Sequence, residues 1–147
     1  MQFSPKLKNS WPAKTLEELE NQTWKYPEFD SYLLRACYVL RKKSLQQFTV
    51  EDIRILVGQN IGLKYLVPIA ISVLQENILA EGDLYEGDLL KNLLTIQKEY
   101  WQGDYQGWKQ LNELFLRNME MLESCETSKN IRKGWFDSYR EFLQIHE

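Results

Sequence analysis

Histidine and cysteine are scarce in this sequence of 147 residues, which contains one histidine and two cysteines. The single histidine, His146, stands next to the last residue, where chains usually fray. Catalytic triads and zinc sites built on histidine are therefore nearly excluded. Cys37 and Cys125 lack the CxxC spacing of metal or redox motifs. Since no secretion signal precedes them, we expect two reduced, buried thiols.

The sequence also lacks an excess of basic residues and an apolar run long enough to cross a membrane. The formal net charge is −3, whereas proteins that grip nucleic acid usually carry a basic surface. The longest apolar stretch, residues 63–74, contains Lys64 and Ser72 and is too short to span a bilayer. The first residues contain no apolar signal core. We therefore expect a soluble cytoplasmic protein that binds neither nucleic acid nor membrane directly.

No motif of an enzyme or of a cofactor site is present. The segment Gly58–Gly62 lacks the Lys-Ser/Thr ending of a phosphate-binding loop. An EF-hand that began at Glu81 would need glycine at its sixth position and a bidentate glutamate at its twelfth, but Glu86 and Asn92 stand there. We expect no catalysis, no metal and no cofactor. A magnesium-dependent hydrolase built on local carboxylates stays open as an alternative.

Apolar residues recur at spacings of three and four along most of the chain, which is typical of helices that bury one face. Such stripes are Phe29-Leu33-Cys37-Leu40, Trp108-Leu111-Phe115-Met119-Leu122 and Ile131-Trp135-Tyr139-Phe142. Helix-start signals stand at Thr15, at Thr49, at Asp104, and at Ser128 or Asn130. We predict an irregular arm over residues 1–14 and one compact all-α domain of about six to eight helices over residues 15–147. Its last two helices should form an antiparallel pair.

Glycine, proline and aspartate mark further predicted boundaries. Gly58 is expected to end a helix, and Pro68 to lie in the first turn of the next one. Residues 77–87 are predicted to form a loop, in which Gly82 adopts a positive φ. Asp88 is expected to cap the helix that follows this loop.

Five acidic residues lie within a stretch of thirteen that contains no lysine or arginine: Glu76, Glu81, Asp83, Glu86 and Asp88. One interpretation is a solvated loop with a helix cap. The other is an acidic patch that docks on a basic partner, with Tyr85 as a candidate for an energetically dominant contact. We predict that Glu81, Asp83, Tyr85 and Glu86 contact the partner.

The central segment carries a series of short motifs. It reads LRKKSL over residues 40–45, TVEDIRILVGQNIGL over residues 49–63, YLVP over residues 65–68, LAEGDLY over residues 79–85 and GDLL over residues 87–90. In this order the motifs resemble the immunity proteins of bacterial contact-dependent growth inhibition (CDI) systems, over roughly residues 15–94. Some members of that family carry Phe where Leu84 stands and Pro where Glu86 stands.

The resemblance implies a cytoplasmic antidote that binds the C-terminal toxin domain of a cell-surface effector, often a nuclease. We expect a monomer that binds its cognate toxin 1:1; a helical adaptor or subunit of another assembly is the alternative. The motif residues are expected to shape the backbone: Gly58, Gly62, Pro68, Gly82, Gly87 and Asp88. A buried polar network is expected from Asp52, Arg54, Gln59 and Asp83.

Overall fold

The computed structural model describes residues 11–28 and 31–147, and in these ranges the chain forms eight α-helices and no β-strand. They are α1 (Leu16–Glu20), α2 (Tyr32–Leu40), α3 (Val50–Gly58), α4 (Leu63–Glu76), α5 (Asp88–Leu94), α6 (Lys98–Gln102), α7 (Tyr105–Ser124) and α8 (Lys129–Gln144). The predicted all-α fold is confirmed. Most of the predicted N-terminal arm lies outside the described residues, so its boundary stays a prediction. No helix in the described ranges is long and apolar enough to cross a membrane.

Polar capping residues stand at the starts of four helices, where the sequence predicts them. Thr15 and Thr49 each accept a hydrogen bond from the amide three residues later, and both form complete capping boxes. Asp104 caps α7 and Ser128 caps α8 in the same way, each accepting from an amide of the first turn. These four helix starts are therefore confirmed.

Pro68 does not lie in the first turn of its helix, so that prediction is wrong. Helix α4 begins five residues earlier, after Gly62, which adopts the left-handed conformation with φ +65°. Leu63 and Leu66 in the added turn are buried, and their burial favours a helix start ahead of the proline. Pro68 cannot donate to the Lys64 carbonyl, but both residues are exposed, and water can bond that group instead.

Helix α5 forms the centre of the core, because it packs on α3, α4 and α8. All four of its leucines are buried. Helices α7 and α8 run in opposite directions, because residues near the start of α7 contact residues near the end of α8. The ring of Trp108 stacks on Phe142 with centroids 5.5 Å apart, and that of Phe115 stacks on Tyr139 at 3.8 Å.

Helix α2 lies at the edge of the fold and packs mainly on α3. Cys37 and Leu40 of its predicted inner face are buried, whereas Leu33 is 38% exposed. Phe29 lies outside the described residues. Both cysteines are free thiols, but Cys125 is only half-buried, which corrects the expectation of two buried thiols.

Candidate partner-binding site

The carboxylate of Asp88 holds the loop of residues 77–87 in place. Asp88 is the first residue of α5 and Gly87 occupies the cap position, so the prediction that Asp88 caps its own helix is wrong. Its Oδ1 accepts a hydrogen bond from the Gly82 amide at 2.7 Å, and its Oδ2 accepts one from the Leu84 amide at 3.0 Å. Asp88 is 1% exposed. The buried carboxylate thus fixes the loop to the start of α5.

Arg54 joins this loop to α3. Its Nε and Nη2 donate to the two carboxylate oxygens of Glu51, each at 2.6 Å, and its Nε lies 3.7 Å from Asp88 Oδ2. Glu51 Oε1 also accepts from the Asp83 amide at 2.8 Å. The hydrogen bond from Arg54 lowers the pKa of Glu51, and the same bond raises the pKa of Arg54. We call Glu51, Arg54 and Asp88 the loop brace.

The structure forms only part of the predicted buried network of Asp52, Arg54, Gln59 and Asp83. Arg54 belongs to the brace, while Asp83 contributes its backbone amide and is itself exposed. Asp52 instead completes the capping box of α3 and pairs with Lys43 at 2.6 Å, and Gln59 is exposed. The sequence analysis missed Glu51, which its spacing of three residues from Arg54 on one helix could have indicated.

The two glycines of the loop, Gly82 and Gly87, stand where an added Cβ would collide with a neighbouring side chain. Gly87 has φ +86°, and a Cβ there would lie 2.3 Å from Cζ2 of Trp135. The indole Nε1 of Trp135 donates to the Gly87 carbonyl at 3.1 Å. Gly82 does not have the predicted positive φ, so that expectation is wrong. A Cβ at Gly82 would instead meet Glu51 Oε1 at 2.5 Å, because the loop passes directly over the brace.

The other motif residues have structural positions away from the loop surface. Gly58 is the last residue of α3, as predicted, and a Cβ there would lie 2.8 Å from Nδ2 of Asn92. The amide of Asn92 donates to the Arg54 carbonyl at 2.9 Å and so ties α5 to α3. Gly62 forms the tight start of α4 against Leu16.

The predicted contact residues lie on the outside of the braced loop. Glu81, Asp83 and Glu86 are exposed, and an isolated β-bridge pairs Glu81 with Glu86. None of these three carboxylates has an ion-pair partner among the residues that the structure describes. Tyr85 is half-buried, and burial raises the pKa of its phenol. The four residues thus form one acidic surface around a neutral tyrosine, which we call the acidic loop.

A groove with a volume of about 540 Å³ lies beside this loop, between α2 and α3. Tyr32 and Val39 line it from α2, Ile55 from α3 and Asp83 from the loop. The sequence analysis missed this groove, because the uncovered face of α2 depends on how the helix packs. Within the described ranges, no three side chains of His, Cys, Asp or Glu are grouped so that they could hold a metal ion.

The sequence that forms this site matches a known protein family. The profile of a family described as CDI immunity proteins matches residues 18–111, almost two thirds of the chain. The matched range contains the loop brace, the acidic loop and both walls of the groove, and it ends within α7. A comparison with curated proteins yields no match.

Proposed function

Because the chain belongs to the family of CDI immunity proteins, we propose that it neutralises the toxin domain of its cognate effector by 1:1 binding in the cytoplasm. The match over residues 18–111 is the observation that carries this proposal. Membership of the family gives the immunity role and the binding of a cognate CDI toxin.

We propose a nuclease as the toxin, on the basis of charge. A nuclease must present lysine and arginine to hold phosphates, and a partner with the opposite potential is attracted to that surface. The chain has a formal net charge of −3, and the carboxylates of Glu81, Asp83 and Glu86 have no ion-pair partner in the described ranges. These charges therefore remain available to an external cation.

The acidic loop is the proposed contact face, because the brace holds it ready for binding. Asp88 and Glu51 accept hydrogen bonds from the amides of four successive loop residues, 82 to 85. A loop that is already fixed loses little conformational freedom when a partner binds it. In this fixed loop the side chains of Glu81, Asp83 and Glu86 are exposed.

We propose inhibition by occupancy, without a catalytic step in the immunity protein. Glu51 and Asp88, the two carboxylates of the loop brace, are both engaged by Arg54 and by backbone amides. Turnover of a nucleotide or an ester that disappears in an Asp83→Ala, Glu86→Ala double variant would contradict this view.

The first experiment is co-purification with the C-terminal domain of the effector encoded directly upstream. We expect a 1:1 complex by light scattering, and loss of the toxin's nuclease activity at equimolar ratio. A toxin domain that stays active and elutes separately would refute the proposed function.

The second experiment tests the face. Glu81→Lys with Glu86→Lys should leave the melting temperature nearly unchanged, since both side chains are exposed. We expect association with the toxin to slow at least about tenfold and to lose most of its salt dependence. The matched control is Glu123→Lys with Glu126→Lys, which makes the same charge change at exposed positions in the last turn of α7 and just after it. Equal effects of both pairs would implicate net charge, and normal binding of the first pair would make the loop structural.

A further inference from the structure

Exposed apolar side chains are concentrated around α2. Nine large apolar side chains are exposed in the described ranges, and six of them lie just before α2, on α2 or at Leu84 in the loop. Tyr32 is 76% exposed and Val39 is 59% exposed. The two are seven residues apart, so they share one face of the helix. Exposed apolar surface of this kind marks sites where proteins interact.

This exposed face of α2 forms one wall of the groove beside the acidic loop. Ile55 supplies apolar surface from the opposite wall on α3, and Asp83 stands at the rim. The groove therefore combines an apolar floor with an acidic edge. An apolar pocket inside a polar rim is the usual setting of the contacts that dominate a protein interface.

The charged side chains around the groove differ in whether they are already paired. Glu51 is bound by Arg54, and Asp52 is bound by Lys43 at 2.6 Å. Arg35 also lines the groove and is engaged in an interaction of its own. Asp83 has no ion-pair partner among the described residues. A partner that covers the groove must therefore neutralise Asp83 and no other carboxylate of the lining.

We propose that the groove receives an apolar side chain of the toxin domain, and that a lysine or arginine next to it in the toxin pairs with Asp83. A purely basic segment would leave the walls formed by Tyr32 and Val39 uncovered. A purely apolar segment would remove Asp83 from water without a partner, which is unfavourable. Only a toxin segment with both kinds of side chain can cover the apolar walls of the groove and also pair with Asp83. This inference rests on the proposed function and extends the contact face from the acidic loop to α2.

A second copy of this chain fits the groove less well. A symmetric dimer through this face would bring Asp83 near its counterpart, and like charges across an interface oppose binding. The opposite charge of a nuclease surface removes this penalty. The toxin domain is therefore the occupant that the charges favour.

The test is Val39→Asp, with Leu116→Asp as a matched control. Both are exposed aliphatic residues on helices, with Val39 59% and Leu116 53% exposed. Leu116 differs in location, because it lies on α7, which packs on α4, α6 and α8. We expect the Kd for the effector's C-terminal domain to rise at least about tenfold in Val39→Asp and less than about twofold in Leu116→Asp. The rise should appear in dissociation, because the added negative charge would itself speed association with a basic toxin.

The outcomes separate the inference from the function on which it rests. Wild-type protein that does not bind the toxin domain refutes both. Wild-type protein that binds, with Val39→Asp binding equally tightly, refutes the groove and leaves the function standing. If Val39→Asp fails to fold, Tyr32→Ala replaces it and should weaken binding to a similar degree. A wild-type dimer that Val39→Asp dissociates would show that a second copy occupies the groove, and would overturn the inference.

Discussion

Replacing Gly87 with alanine tests how the loop is fixed to the rest of the protein. Gly87 has φ +86° and lies directly against the indole of Trp135, which is fully buried. An added Cβ would stand 2.3 Å from Cζ2, 2.7 Å from Cε2 and 2.9 Å from Nε1 of that ring. Since the indole is rigid and enclosed, the backbone or the whole ring must move.

Three contributions make up the loss of unfolding free energy that we expect for Gly87→Ala. The left-handed conformation costs a residue with a Cβ about 1–2 kcal/mol. Overpacking of a filled site costs about 1–3 kcal/mol. The hydrogen bond from Trp135 to the Gly87 carbonyl, 3.1 Å long, contributes about 0.5–1.5 kcal/mol and would be weakened. We therefore expect Gly87→Ala to lower the free energy of unfolding by about 3–6 kcal/mol, a large share of the roughly 5–15 kcal/mol of an ordinary domain.

Urea unfolding followed by tryptophan fluorescence and by circular dichroism measures this loss. Gly134→Ala is the matched control, because a Cβ at Gly134 in α8 meets only the flexible end of Lys91, with Cε at 3.7 Å and Nζ at 3.9 Å. We expect that control to stabilise the protein by about 0.5–1 kcal/mol, through the higher helix propensity of alanine. Equal unfolding midpoints for the two variants would refute the role assigned to Gly87.

Three further changes test the same region. Trp135→Ala should lower the free energy of unfolding by about 3–5 kcal/mol, measured by urea denaturation. Gly82→Val should push Glu51 away from Arg54. In that variant the backbone amide hydrogens of the loop should exchange with solvent faster than in the wild type. The pKa of Glu51 is lowered by folding, so its contribution to stability is full above the ordinary value of 4.5 and is lost as pH falls through the lowered pKa. The stability difference between wild type and Glu51→Gln should therefore shrink in acid, and a difference that grows instead would contradict this sign.

Local patterns were sufficient to predict most of the helices, although α6 was not predicted. Trp108, Leu111, Phe115 and Leu122 form a buried stripe as predicted, because the helical period alone decides which side chains share a face. Capping residues likewise act within three or four positions of the chain. Pro68 shows where local rules fail, since the burial of Leu63 and Leu66 against other helices outweighs the preference of proline for a first turn.

Of the loop brace, only the pair of Glu51 and Arg54 could have been predicted from local patterns, because Asp88 comes from a distant part of the chain. Asp88 lies beside Arg54 only because α3 packs on α5. The basic run of residues 41–43 is a similar case, since it is typical of a solvated helix end. Arg41 is nevertheless fully buried, pairs with Glu20 at 2.8 Å and lies 4.4 Å from the centre of the Trp24 ring. The spacing of apolar residues does not predict where the segment that carries Glu20 and Trp24 lies in the fold.

The requirement for glycine at position 87 depends on one residue inside the range matched by the family profile and on another outside it. Gly87 lies inside the matched range of residues 18–111, whereas Trp135 lies in α8, outside it. The Trp135 indole fills the space that a Cβ would need and donates to the Gly87 carbonyl. Gly87 in turn precedes Asp88, whose carboxylate holds the loop amides. The position of the acidic loop therefore depends on α8 as well as on the family motif, although no residue of α8 lines the groove or belongs to the acidic loop.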